Sequence, residues 1–416
     1  MAAPINPVHA EIHPPVMPEI AAIAADMLAL RHDLHAHPEL AYQEHRTGDI
    51  VAARLTEWGY EVHRGLGDTG VVGTLRCGDH LNGKRLGLRA DMDALPIRET
   101  TGLPYASRHD GKMHACGHDG HTATLLAAAK VMAERKEQFN GTLHLIFQPA
   151  EEGHGGAQKM VDQGLFELFP CDALYAFHNE PGYPAGQFGF RSGVMYSSSD
   201  TAIITVHGKG GHGAMPHVAV DPIVVASHLV LALQTIISRN LKPIEAAVLS
   251  VTMLHAGEAT GVMPDNCTIE GTVRTFSVAA LDLIEPGLKR IATHTAAAMG
   301  ATCEVEFLRR APPVVNTAYE ADFAAAVMRR IVGRCNVLAQ EPSMPSEDFA
   351  FMLQAKAGAY VFIGNGEGAH RHSGHGMGPC MLHNPSYDFN DALIPLGATY
   401  WLRLAETWLA TPRRDQ

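Results

Sequence analysis

Eight consecutive residues, His114-Ala115-Cys116-Gly117-His118-Asp119-Gly120-His121, bring three histidines and a cysteine together. Cys116 and His118 are two apart, so they cannot share a helix face, but from a turn both can reach one ion. A helix beginning near Thr122 would set its positive end beside Cys116 and favour the thiolate. Thiolate with imidazole suits Zn²⁺ or a similar transition metal. The bland alternative is a glycine-rich turn around a buried structural cysteine. Glu151-Glu152 is the second cluster. Adjacent carboxylates point different ways, so one can hold a cation while the other faces a substrate and moves protons. Alone, such a pair reads as solvated surface; after the apolar run 143–147 and before Gly153-His154-Gly155-Gly156 it reads as a site.

Later, the glycine-rich stretch 364–391 contains His370, His372, His375 and His383. The setting Met381-Leu382-His383-Asn384-Pro385, apolar and then rigid, favours His383. His212, within Gly208-Lys209-Gly210-Gly211-His212, and Arg274, within Gly271-Thr272-Val273-Arg274-Thr275, complete the candidates. Arginine is the natural two-pronged partner of a carboxylate. By composition alone both are ordinary surface residues.

These side chains need a scaffold. Runs at 71–75, 85–90, 141–147 and 173–177 read as strands, and the last three end in Asp91-Met92-Asp93, Glu151-Glu152 and His178-Asn179-Glu180. Helical patterns over 122–133 and 157–163 separate them, after helices expected at 20–30 and 44–58. Strands alternating with helices imply a mostly parallel sheet covered on both faces. Ligands of such sheets bind beyond the carboxyl ends of the strands, so the clusters should converge. From about residue 197 the style changes: strand 201–206, helix 221–237 with Asp221-Pro222 at its start, strands 246–254 and 267–275, helix 279–299, strand 301–307. That β-α-β-β-α-β order is the ferredoxin-like pattern. After Pro312-Pro313 the α/β style resumes, with a helix over 323–333 and a strand at 359–363. The expected architecture is a discontinuous α/β domain, residues 1–196 and 309–416, with an α+β domain inserted at 197–308.

Composition narrows the function classes. The 416 residues carry a net charge of −12, which argues against non-specific nucleic-acid binding. Seven scattered cysteines without a C-x-x-C pair indicate a reducing compartment rather than a disulfide framework. Residues 1–20 lack a charged-then-apolar signal pattern. The apolar stretch 223–233 is broken by Ser227 and His228, too short and polar to span a membrane. The chain reads as soluble and cytoplasmic. Its 25 histidines outnumber Phe (14) and Tyr (10), so their positions carry the argument.

At these residues the chain resembles the bacterial and plant metal-dependent amidohydrolases that include hippurate hydrolases, aminoacylase-like N-acyl-amino-acid hydrolases and indole-acetyl-amino-acid hydrolases. The likeness runs from Leu34-His35-Ala36-His37-Pro38-Glu39-Leu40 to Tyr387-Asp388-Phe389-Asn390-Asp391. Between them stand Asp91-Met92-Asp93-Ala94-Leu95-Pro96, Cys116-Gly117-His118-Asp119-Gly120-His121, Gln148-Pro149-Ala150-Glu151-Glu152-Gly153 and Ser346-Glu347-Asp348-Phe349. Their combination is specific where each alone is weak. The resemblance implies a catalytic domain with an inserted lid that also makes the interface of a homodimer or higher oligomer. It implies two divalent ions, Mn or Zn before Co or Ni, held by Cys116, His118, Glu152, His178 and His383. It implies Glu151 as catalytic carboxylate, His212 reaching the partner's site to stabilise an oxyanion, and Arg274 holding the carboxylate of an N-acyl amino acid such as hippurate. Where the family commonly has Asn before Val-x-Pro, this chain has Gly261-Val262-Met263-Pro264, with Asn266 as the candidate replacement. The rival readings are a metallo-carboxypeptidase or dipeptidase using the same site, a cysteine hydrolase built on Cys116 with His118 or His121, and a metal-binding protein without turnover. Glu151 beside Glu152 argues for catalysis, and no oxyanion-hole motif accompanies Cys116.

Overall fold

The computed structural model describes residues 16–81, 83–366 and 380–411. The chain divides into two compact units, one of Met1–Gly193, Asn316–Glu341 and Phe351–Gln416, the other of Val194–Val315 and Pro342–Ala350. His370, His372 and His375 lie outside the described residues.

The first unit is built on an eight-stranded sheet. Its order is β1 (Glu61–Leu66), β2 (Gly70–Cys77), β4 (Gly141–Gln148), β3 (Lys84–Asp91), β5 (Ala173–Glu180), then Gly358–Gly364, β6 (Phe188–Phe190) and Val337–Ala339. The centre, from β4 through Gly358–Gly364, is parallel. β1 with β2, β2 with β4, and Gly358–Gly364 with β6 are antiparallel. β6 and Val337–Ala339 pair parallel, so the sheet is mixed, with four parallel and three antiparallel pairings. Residues 67–69 link β1 to β2, too few for the crossover that a parallel pair needs. The parallel centre shows the continuous burial expected of strands covered on both faces: every residue of β4, and all of β5 but Glu180.

Helices α1 (Pro18–Ala36), α3 (His118–Glu134) and Leu393–Ala410 pack against one another over this sheet. α2 (His45–Glu57) packs against β1 and β2. α3 buries Leu125, Leu126, Val131 and Met132 completely, each stabilising by about 1.5–3 kcal/mol relative to exposure. It begins at His118, four residues before the start expected from periodicity. Gly117, at φ +94°, supplies the left-handed residue from which the helix springs. β5 also runs further than expected. His178 and Asn179 stay in the strand because they pair with Phe362 and Ile363 of Gly358–Gly364.

The second unit holds a four-stranded antiparallel sheet in the order Ala247–His255, Asn266–Thr275, Ser199–His207, Thr302–Ala311. Burial alternates along Ser199–His207, so one face meets the helices Pro222–Thr235 and Val278–Ala298. Asp221 caps the first helix by accepting the N–H of Ile223, with Pro222 at its first position. That helix continues into a π-turn, Ile236–Asn240, and the whole segment Pro222–Asn240 has the length and hydropathy to cross a membrane, more than the sequence reading allowed. Its stripe Val225, Ala226, Leu229, Leu233 and Ile236 is instead the core of this unit.

Candidate metal centre

Asp91 and Gln148 are paired neighbours at the carboxyl ends of β3 and β4. The chain leaving β4 therefore delivers Glu151 and Glu152 to the same sheet edge as Asp91 and Asp93. His178 arrives from β5, Cys116 and His118 from the start of α3, and His383 from the segment before Leu393–Ala410. Five expected ligands and Glu151 thus meet in one unit. The ligand atoms of Cys116, His118 and His178, of Cys116, Glu152 and His383, and of His118, Glu151 and Glu152 form overlapping groups, each within 4.8 Å.

Individual contacts set the chemistry of each candidate ligand. His178 Nδ1 lies 2.8 Å from the Asn179 carbonyl, which can only accept. The proton is on Nδ1, and the Nε2 lone pair faces Cys116 Sγ at 3.3 Å. Burial, with the field of His121, holds His178 well below its ordinary range, as a neutral imidazole. His118 Nδ1 meets Asp93 Oδ1 at 3.2 Å. Its Nε2 faces Asp91 at 3.7 Å and Glu152 Oε1 at 4.0 Å. Burial alone would lower His118, but Asp91, Asp93 and Glu152 outweigh it and hold the imidazolium up to about 10. His383, at φ +64°, brings Nε2 to 3.3 Å from Glu152 Oε1, and its backbone N–H is held by the Ala115 carbonyl at 2.8 Å.

Cys116 corrects one expectation. Burial, then Glu152 and Glu151, push its thiol well above the ordinary value, so the helix end does not make a thiolate here unaided. The arrangement asks for positive charge. Among the described residues, the buried atoms His118 Nε2 and Glu152 Oε1 have no hydrogen-bond partner. Ligand atoms around a tetrahedral ion stand about 3.4 Å apart, close to the separations between these groups. A thiol, imidazoles and carboxylates converging with orphaned atoms fit divalent cations.

Several contributors carried no role in the sequence reading. Asp93 orients His118 and also accepts the Glu152 N–H at 3.0 Å. Asp91, which His118, Arg89 and His121 hold well below the carboxylate range against the opposing effect of burial, accepts from Arg89 at 2.8 Å. His121 bridges Asp91 Oδ1 at 2.6 Å and Asn179 Oδ1 at 2.7 Å. Asn179 Nδ2 in turn donates to the Tyr387 hydroxyl at 2.5 Å. The signals available were the Asp-Met-Asp at a strand end and His121 in the histidine cluster; Asn179 and Tyr387 stood in a strand-end run and a motif without any sign of what they would bind. Behind them, the fully buried Arg31 donates to Asp119 at 2.8 Å and Asp388 at 2.5 Å, tying α1 to the first turn of α3 and to the stretch after His383.

His212 and Arg274 belong to the second unit. His212 is exposed, paired with Val262, and accepts the Ala214 N–H on Nδ1 at 3.1 Å, which leaves the proton on Nε2. Arg274, half-buried, donates to Thr272 Oγ1 at 2.5 Å. Burial lowers its affinity for the proton while Asp200 opposes that. A side chain in place of Gly261 would meet nothing within 4 Å.

The model of the family described as Peptidase family M20/M25/M40 matches residues 87–407. A hippurate hydrolase of Campylobacter jejuni is 42% identical over 395 residues, which span 95% of this chain and 99% of its own. Thermostable carboxypeptidase 2 of Saccharolobus solfataricus is 37% identical, over 81% of this chain and 85% of its own. The crystal structure of Bacillus subtilis YXEP protein, described as a dinuclear metal binding peptidase from the M20 family, has a TM-score of 0.81 at 32% identity. The match covers 94% of this chain and 100% of that one.

Proposed function

The chain belongs to the peptidase M20/M25/M40 family, and from that premise we propose that it hydrolyses the amide bond of N-acyl amino acids of the hippurate kind, releasing a carboxylic acid and a free amino acid. The observation that carries this reading is Glu151 beside the convergent set Cys116, His118, Glu152, His178 and His383. Those five would hold two divalent ions, Mn or Zn before Co or Ni. Such ions supply Lewis acidity, making water a nucleophile near neutral pH and polarising the amide carbonyl.

The protein's own groups do the rest. Glu151 takes the proton of the attacking water and returns it to the leaving amine nitrogen. Asp93 keeps His118 turned with Nε2 toward the centre. His212, with its proton on Nε2, is suited to donate to the oxyanion, from one protomer to the site of its partner. Arg274 is suited to the substrate carboxylate. We read residues 197–308, whose β-α-β-β-α-β order supports a ferredoxin-like assignment, as lid and dimerisation domain. The seven scattered cysteines, with no C-x-x-C pair, support a cytoplasmic setting.

The carboxypeptidase relative favours a second reading, cleavage of short peptides by the same centre. Metal-free protein reloaded with Zn²⁺, Mn²⁺, Co²⁺ or Ni²⁺ and offered benzoyl- and acetyl-amino acids beside dipeptides separates the two. Faster cleavage of the acyl-amino acids is expected; the reverse order would favour the peptidase. Glu151→Gln should keep its ions and lose about 10²–10⁴ of turnover. Near-normal turnover in that variant would sink the assignment of Glu151.

A further inference from the structure

Ala150 immediately precedes the two glutamates, is fully buried, and stands at φ +55°. That left-handed conformation is costly for any residue with a Cβ. Among the described residues the non-glycine positive φ angles are at Tyr42, Asp68, Ala150 and His383. One side chain holds Tyr42 and Ala150 and the residue that follows Asp68. The buried Glu44 accepts the backbone N–H of Tyr42 at 3.0 Å and of Ala150 at 2.9 Å on Oε1. Its Oε2 accepts the hydroxyl of Thr69, the residue after Asp68, at 2.6 Å.

Glu44 is placed where it would be expected to do something else. It is the N-cap residue of α2, yet its side chain makes no capping bond. Glu39 takes that task, accepting the N–H of Arg46 at 3.0 Å and Thr47 at 2.8 Å. Glu44 is thereby released to reach across 106 positions of sequence to Ala150. Burial raises its proton affinity, with a further push from Asp93, and its hydrogen bonds oppose that rise.

The turn it reaches is closed from the other side as well. The Ala150 carbonyl accepts the Gly156 N–H at 3.0 Å. A Cβ on Gly156 would fall 1.8 Å from the Pro149 carbonyl oxygen, so the loop is folded tightly on itself. Pro149 is wedged against Gly67 and Gly70, where a Cβ would meet its ring at 3.0 and 3.1 Å. The Glu152 N–H is fixed by Asp93. Of the backbone amides leading into the pair, Glu44 holds the one that fixes which way the chain turns.

We propose that Glu44 is a positioning residue for the hydrolytic centre: by clamping the left-handed turn at Ala150 it sets the aim of Glu151 and Glu152. This rests on the reading of Glu151 as the proton-transfer carboxylate and of Glu152 as a ligand. Glu44 itself does not touch the reacting atoms.

The discriminating pair is Glu44→Met against Glu44→Gln. Methionine fills the space but accepts no hydrogen bond, leaving the Ala150 N–H buried and unpaired. In glutamine the amide oxygen keeps both backbone donors, and its NH₂ can donate to Thr69 in reverse. Glu44→Met should speed amide hydrogen exchange over residues 150–153 by at least about tenfold. It should lower kcat by about ten- to hundredfold, KM less, and weaken retention of the ions. Glu44→Gln should stay within about threefold of the parent in all these readouts. If Glu44→Met does not fold, Thr69→Val, which removes one of the carboxylate's donors, should shift exchange and kcat in the same direction by less. Unchanged exchange in the folded variant overturns the proposal, as does faster exchange with unchanged kcat, or a Gln variant as damaged as the Met one. Exchange is read without substrate, so failure here is distinct from failure of the Glu151 assignment, which Glu151→Gln tests alone.

Discussion

Gly117 illustrates how much a single position can decide. Its φ of +94° is one that residues with a Cβ rarely adopt. A Cβ there would also lie 2.5 Å from Asn179 Oδ1 and 2.8 Å from the Tyr387 hydroxyl, inside van der Waals contact. Gly117→Ala is therefore expected to cost about 2–4 kcal/mol and to loosen Cys116 and His118 on either side. Thermal unfolding and metal content after dialysis check this. A variant as stable as the parent would mean that the Asn179–Tyr387 contact is not tight. At this scale the sequence exposes residue types well: a cysteine, clustered histidines and paired glutamates announce themselves. It does not expose partners. Nothing in His178-Asn179 says that Asn179 carries a hydrogen bond to His121, and nothing in Ala150 says that it turns left-handed. Both depend on side chains that the fold brings from far along the chain.

At the level of elements, α1 is fastened to α3 by charge. His35 is fully buried, with Nδ1 2.8 Å from Asp119 and Nε2 3.4 Å from Glu99. Arg31 and the ring of His114 face it as well, and Tyr105 meets it edge-on. Burial pulls its proton affinity down and Arg31 opposes protonation, but Asp119 and Glu99 prevail and raise it to about 9. The folded chain therefore binds this proton more tightly than the unfolded one, whose histidine titrates near 6.5. Stability from this proton is complete below about pH 6.5 and is lost as the pH climbs through about 9. Melting temperature should fall over that window, by an amount corresponding to at most about 3 kcal/mol, and the fall should flatten in His35→Gln. A parallel decline in the variant would remove His35 from the account. The elements themselves were legible where periodicity is long, as in α2, β4 and Val278–Ala298. Short ones were not: the three residues of β6 and of Val337–Ala339 leave no pattern, yet they complete the sheet. The start of α3 was misplaced because a histidine-rich first turn does not look like an apolar helix face.

The whole molecule raises the question of its partner. The helix Pro222–Thr235 exposes Ile223, Val224 and Leu231, the last 72% accessible, and the edge strand Ala247–His255 exposes Met253 and Leu254. On the homodimer reading this apolar surface is covered by a second copy. Leu231→Lys should shift the mass measured by sedimentation from dimer toward monomer while leaving the melting of each chain intact. A monomeric parent would refute the reading outright. The mixed sheet has a further consequence, in time rather than space. The strand that covers the outer edge of β5, Gly358–Gly364, is synthesised only after the second unit has been made. At ~5–20 residues per second it follows β5 by on the order of 10–40 s. Through that interval the nascent chain presents an unpaired, apolar strand edge, the kind of surface on which neighbouring chains aggregate. His383 emerges later still, so on the proposed metal-centre reading Cys116, His118, Glu152 and His178 would be available to an ion before it. Production of this protein should therefore be limited less by its final stability than by what shields β5 while translation is still under way.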